Sequence, residues 1–189
     1  MQRIAIDFDG VLFPTVEKVL EIYNKKHGTF LDISQIISYD LHDNFLPDVA
    51  EELIELFIDK DVYSSLQPYK GAVKAIKTLI EQGYEIYVAT ATDVRNMEWK
   101  EQLLQKYFPF IPKKNLIRIH DKSLLKIDIL VEDCIDNLTS IIVHRICFNQ
   151  PWNQNEETDW LYDIYRIHRW DEITNVIKTI ERKEKEWEE

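Results

Sequence analysis

The first apolar run of the chain ends on two acids: Ile4-Ala5-Ile6 leads into Asp7-Phe8-Asp9-Gly10-Val11-Leu12. Residues two apart on a continuing strand share a face, so Asp7 and Asp9 can converge on one site. Burying two carboxylates at the tip of an apolar strand is costly unless a cation compensates them. Gly10 lets the backbone turn sharply and approach a ligand closely. The spacing points to cation-assisted ligand binding at a strand tip; two solvated acids at a strand-to-loop transition are the plain alternative. Further along, Tyr84-Glu85-Ile86-Tyr87-Val88-Ala89 finishes on Thr90-Ala91-Thr92-Asp93, and Ile127-Asp128-Ile129-Leu130-Val131 finishes on Glu132-Asp133. Lys122 stands in the loop ahead of the second of these. Each group alone has an ordinary explanation: a β-branched residue at a strand end, a surface lysine, a helix N-cap with first-turn charge. In a parallel sheet, however, all carboxyl ends lie along one edge, where open α/β sheets bind ligands. The groups can therefore share one pocket.

A strand apolar on both faces, like the one before Asp7, belongs inside a parallel sheet. After it, Pro14 suits the first turn of a helix, and Val16, Val19, Leu20, Tyr23 and His27 recur at helical spacing until Gly28. Residues 31–44 are polar and turn-rich, a brief helix and a loop. Pro47 opens a second helix with Val49, Leu53, Ile54, Phe57 and Ile58 along one face. Residues 13–68 thus read as a helical insertion with no strand of its own, ended by Pro68-Tyr69-Lys70-Gly71. Helix and strand then alternate. Ala72, Val73, Ile76, Leu79 and Ile80 form a stripe closed by Gly83, and a further helix covers 94–107. Strands are expected at 84–89, 116–119, 127–131 and 140–148, with a closing helix through Ile173, Val176, Ile177 and Ile180. The expected architecture is α/β, a Rossmann-like three-layer sandwich with a central parallel sheet. A small all-helical cap (13–68) is inserted after strand 1, and 1–12 with 69–189 form the core.

The 189 residues are 45% hydrophobic, with 8 Phe and 9 Tyr, ample for one core. Twenty-three basic residues against 34 acidic ones leave a net charge of −11. That balance argues against binding a nucleic acid polymer, which needs a basic stripe. It leaves room for a small anion, whose local field a metal ion and one or two lysines can set. No apolar run approaches the ~20 residues of a membrane span. With the sheet expected to begin at Arg3, no signal peptide is expected, and Cys134 and Cys147 suit reduced, buried thiols. A cytoplasmic protein with no membrane partner is expected; the oligomeric state, monomer or homodimer, is left open.

Taken in order, Asp7-Phe8-Asp9-Gly10-Val11-Leu12, Thr90, Lys122 and Glu132-Asp133 resemble the four-motif signature of the haloacid dehalogenase superfamily of phosphohydrolases, across essentially the whole chain. Asp121-Lys122-Ser123-Leu124-Leu125 with the strand behind it resembles the 5′(3′)-deoxyribonucleotidase branch. So do Ser38-Tyr39-Asp40-Leu41 and, near the end, Asn153, Arg166 and Trp170. The resemblance implies a phosphomonoester hydrolase in which Asp7 is the nucleophile, forming an aspartyl-phosphate, and Asp9 the general acid and base. It implies Mg²⁺ held by Asp7, the Asp9 carbonyl and Asp133, with Glu132 close by or acting through water. Thr90, Ala91, Thr92 and Lys122 would hold the phosphate. The substrate would be a small phosphorylated metabolite, most simply a nucleoside monophosphate. Candidates for gripping it are Phe13, Tyr39, Phe45 and Tyr63 on the cap or its hinge, and His120 in the loop before Lys122.

Two departures from the branch pattern stand out. Glu132-Asp133 replaces two aspartates, and Ala91 replaces a hydroxyl residue, although its N–H can still bind phosphate. A sugar phosphate is the nearest alternative substrate. A phospho-acceptor receiver domain would carry its aspartate on a middle strand and has no place for the helical insertion. A catalytically dead binding module is countered by competent side chains at all four motifs.

Overall fold

The structure is a computed structural model and describes residues 2–141, 143–155 and 164–188. Along the chain, β1 (Arg3–Ile6) is followed by α1 (Thr15–His27), α2 (Pro47–Leu56) and α3 (Lys60–Ser64). Then come α4 (Ala72–Glu81), β2 (Glu85–Thr90), α5 (Met97–Tyr107), β3 (Leu116–Arg118) and β4 (Ile129–Glu132). The chain continues through α6 (Ile135–Thr139), β5 (His144–Phe148), β6 (Ile164–Ile167) and α7 (Ile173–Glu188). The strands form one sheet in the order β3-β2-β1-β4-β5-β6, and every pairing is parallel.

β1 is central because past Arg3 it has no polar side to offer water: Ile4, Ala5 and Ile6 are all fully buried. Alternation along the strand sends Ile4 and Ile6 into the larger core and Ala5 into a smaller one with Ala89, Leu130 and Cys147. The chain winds outward from β1 to β3, then returns to place β4 on the other side of β1. The strand order therefore reverses between β1 and β4, and the crevice at such a reversal is where doubly wound sheets bind ligands. Asp7 follows β1, and Glu132 and Asp133 end β4, so the acids stand on both sides of it.

The sheet differs from the sequence expectation in having six strands among the described residues. β6 is only four residues, Ile-Tyr-Arg-Ile, too short an apolar signal to stand out in the sequence. The fifth strand starts at His144 rather than 140, because 135–139 winds into the short α6. In the helical segment after β1, the second helix ends at Leu56, short of Phe57 and Ile58, and a further short helix follows: the Asp59 carboxylate accepts from Asp61 N at 2.8 Å and caps α3. Residues 31–44 hold two single 3₁₀ turns, at Ile33–Gln35 and Leu41–Asp43. Pro14 sits just ahead of α1, and Gly28 ends that helix at φ 65°.

The segment leaves and re-enters the sheet at one place. Gly10 N donates to Phe13 O, and Tyr69 N donates to Leu12 O, both at 2.9 Å. Both cysteines are free and buried. Among the described residues, no helix is long and apolar enough to cross a membrane.

Candidate active site

β1 delivers Asp7 to the switch point with its backbone N–H bound to Val131 O of β4 at 2.9 Å. Asp7, Glu132 and Asp133 are buried, and each offers a carboxylate oxygen within 4.8 Å of the others. Lys122, 2% exposed, donates to Asp7 Oδ1 at 2.5 Å and to Glu132 Oε2. Glu132 is further engaged by the backbone: its Oε1 accepts from Asp133 N at 3.2 Å and Cys134 N at 3.3 Å.

Asp133 lies across Gly10. A β-carbon at Gly10, whose φ is +71°, would stand 2.3 Å from Asp133 Oδ2, so only glycine admits this approach. The loop after β5 secures both acid-bearing loops. Asn153 Nδ2 donates to Asp133 O at 2.7 Å, and Arg166 Nη1 on β6 fixes the amide through Asn153 Oδ1, also at 2.7 Å. Gln150 Nε2 donates to Gly10 O at 2.5 Å and to the Tyr69 hydroxyl at 2.9 Å.

Asp9 is less enclosed. Its Oδ1 accepts from Thr15 Oγ1 at 2.7 Å, and its Oδ2 accepts from Lys100 Nζ. Lys100 is fully buried, donates to Thr90 Oγ1 at 2.8 Å, and lies 4.8 Å over the Phe8 ring. It thus joins the first and second strand tips, a role the sequence reading missed. A signal was available: Lys100, Leu103, Leu104 and Tyr107 share one face of α5, and a lysine on an apolar stripe asks for a buried partner.

Four carboxylates (Asp7, Asp9, Glu132, Asp133) thus meet two ammonium groups, an excess of two negative charges in a largely dry crevice. The titrations reflect it. Loss of water around Asp7 pushes its carboxyl up to about 7, against the pull of Lys122 and helped by Glu132 and Asp9. Burial, then Glu132 and Asp7, raise the Asp133 carboxyl well above its ordinary value. Burial would lower the Lys122 ammonium, but Asp7 and Glu132 outweigh it and raise it. The residues present therefore fit a hard divalent cation, which oxygen ligands suit and whose charge matches the excess.

Beside Asp9 opens a cavity of about 690 Å³. The sheet edge lines it with Asp9, Ala91, Thr92, Asp93, Arg95, Asn96 and Trp152. The helical segment supplies an apolar wall that includes Val16, Ile36, Leu41, Ile54 and Phe57. Of the aromatic candidates, Tyr39 and Tyr63 line this cavity. Phe13 is fully buried, its ring stacked on Phe8 at 4.4 Å and edge-on to Phe108. Phe45 packs against the core. His120 is exposed and sits beside Arg118 Nη2 at 3.3 Å; Arg118 in turn holds the Thr92 carbonyl at 2.7 Å.

A family model described as "5′ nucleotidase, deoxy (Pyrimidine), cytosolic type C protein" matches residues 1–184. A 5′(3′)-deoxyribonucleotidase of Bacillus subtilis is 31% identical over 174 residues, 90% of this chain and 95% of that protein. One from Clostridium acetobutylicum is 26% identical over 153 residues, 81% of this chain and 84% of that one. Solved structures share the fold. A phosphoserine phosphohydrolase-like protein from Francisella tularensis has a TM-score of 0.62 at 16% identity, covering 94% of this chain and 100% of that one. A haloacid dehalogenase-like protein from Agrobacterium tumefaciens has 0.61 at 14%, covering 95% and 99%.

Proposed function

The chain belongs to the family of deoxy-specific (pyrimidine) 5′-nucleotidases of cytosolic type C, and from that premise we propose that it is a 5′(3′)-deoxyribonucleotidase, a phosphoric monoester hydrolase acting on nucleoside monophosphates. The observation that carries the proposal is the pair of acids at the tip of β1: Asp7 and Asp9 are each paired with a buried lysine, and Asp9 lines a mainly apolar space of nucleoside size.

An Asp7 carboxylate oxygen attacks phosphorus, and the bond from phosphorus to the ester oxygen breaks. Asp9 gives the departing alkoxide its proton, so a nucleoside and an aspartyl-phosphate result. Water then attacks phosphorus, Asp9 takes its proton back from that water, and phosphate leaves Asp7. Lys122 and Lys100 neutralise the phosphoryl oxygens, Thr90 and the N–H groups of Ala91 and Thr92 orient them, and their fixed positions supply most of the acceleration.

Asp7, the Asp9 carbonyl and Asp133 are the groups that would hold Mg²⁺; Glu132, its oxygens taken by Lys122 and two N–H groups, would stand behind them. The ion, when bound, supplies charge that lets an anionic phosphate approach several carboxylates. Residues 13–68 act as the cap over a core of 1–12 and 69–189, excluding water and choosing the leaving group. Tyr39 and Tyr63 are the aromatic side chains that would face it. The family's description, "cytosolic", supports a cytoplasmic location.

Phosphate release across deoxyribo- and ribonucleoside monophosphates, sugar phosphates and acetyl phosphate tests the substrate class. Nucleotides are expected to be preferred by kcat/KM; a strong preference for sugar phosphates would overturn the nucleotide assignment and leave the chemistry standing.

A further inference from the structure

The cavity has two walls, the helical segment and the sheet edge. Among the described residues, side-chain hydrogen bonds join them in two places. Thr15 to Asp9, and Tyr69 to Glu17, lie at the hinge where the segment leaves and re-enters the sheet. Away from the hinge, Asn96 Nδ2 donates to the backbone carbonyl of Phe57 at 2.8 Å. Phe57 is the cap residue at the C-terminal end of α2. Carbonyls there lack helical partners and carry the negative end of the dipole, so a donor is well placed. The same Asn96 nitrogen donates to Thr92 Oγ1 at 3.2 Å, so one amide touches both the helical wall and the phosphate loop.

Asn96 is 2% exposed, and its Oδ1 is buried without a partner among the described residues. A buried orphan acceptor destabilises the fold, and a position with a purely structural task is better filled by a fully satisfied side chain. We propose that Asn96 is a specificity-determining positioning residue: it latches the end of α2 to the Thr92 loop, fixing the spacing of the two walls around the leaving group. The proposal deepens the phosphomonoesterase reading above and rests on it for its kinetic test. A nucleoside fills the cavity and touches both walls, so its transition state feels the latch. Acetyl phosphate reaches only the floor. Differential contact of this kind is what sets selectivity between substrates.

The test compares wild type, Asn96→Ala and the near-isosteric Asn96→Asp, which keeps the shape but removes the donors and sets a carboxylate against the Phe57 carbonyl. The readout is the ratio of kcat/KM for a deoxynucleoside monophosphate to that for acetyl phosphate. Loss of one hydrogen bond should lower this ratio about two- to tenfold in Asn96→Ala, mainly through KM, and at least as much in Asn96→Asp. A ratio that stays constant while both substrates slow alike would overturn the proposal, assigning Asn96 to the Thr92 loop alone. If wild type prefers sugar phosphates, the nucleotide assignment fails, and the best sugar phosphate takes the nucleotide's place in the ratio. Hydrogen exchange supplies an arm independent of turnover: amides of residues 54–64 should exchange several-fold faster in both variants than in wild type. Unchanged exchange means no latch.

Discussion

Lys100 is the side chain whose loss distinguishes most sharply between a positioned catalytic ammonium and a structural ion pair. Lys100→Met keeps length and apolar packing while removing the charge. Its side chain is wholly buried, whereas that of its partner Asp9 is 24% exposed and keeps a second donor, Thr15 Oγ1, at 2.7 Å. Removing one partner of a fully buried pair costs about 3–5 kcal/mol, whereas exposed pairs contribute about 0–1. With one partner sealed and the other partly wet, about 2 kcal/mol of lost stability is expected. For a chain of this size that is a Tm drop of about 4–8 °C. The kinetic effect should be larger. Lys100 also donates to Thr90 Oγ1, so one substitution removes a charge and frees the hydroxyl proposed to orient the phosphoryl group. One preorganised donor at developing charge is worth about 10²–10³ in kcat. Steady-state phosphate release, well below the variant's Tm, checks this. Lys100→Arg should not restore activity, because a planar fork replaces a point charge in a space closed by the Phe8 ring. A Lys100→Met enzyme with kcat within about threefold of wild type would refute the role assigned to Lys100, whatever its Tm.

Asp7→Asn should lower kcat by at least about 10⁴-fold while the far-ultraviolet circular dichroism spectrum stays native; substantial turnover would remove Asp7 as nucleophile. Gly10→Ala combines a positive φ with a methyl group against Asp133 Oδ2, so it should cost about 1–3 kcal/mol. It should also weaken divalent-ion binding measured by titration calorimetry; unaltered ion affinity would mean that Asp133 takes no part in it. The metal-free protein should lose stability with rising pH. Asp7 holds its proton up to about 7 in the folded state, above the ordinary 3.8, so between those values the folded chain binds protons that the unfolded chain has released. Mg²⁺ can take the place of that proton, so its addition should raise Tm more at about pH 8 than at about pH 5. Equal gains at both would show that no carboxyl proton is displaced.

How much was legible in the residues themselves varied with the range over which each feature is built. Asp7, Asp9, Thr90, Lys122, Glu132 and Asp133 were candidates on sequence alone. Strand, turn and tip are written in short spacings, and a parallel sheet carries every carboxyl end to one edge. At that edge Lys122 bonds Asp7 and Glu132 directly, and Asp133 brings a carboxylate oxygen within 4.8 Å of both acids. Gly10 was read as permitting a close approach, but its neighbour, the Asp133 carboxylate, comes from 123 residues away. β6 escaped because four residues with a central arginine carry too little apolar periodicity. Phe13 looked like a base-stacking candidate from its place beside the acids, yet its ring turns into the core against Phe8.

Lys100 and Asn96 lay beyond local spacing for the same reason. A helix's apolar stripe shows which face is buried, but its depth and rotation against the sheet are set by packing over the whole core. That packing alone brings an ammonium to Asp9 and Thr90, and an amide to the end of a helix 39 positions earlier. Side-chain type and local pattern settle which groups can react; the three-dimensional packing of distant segments settles which of them meet.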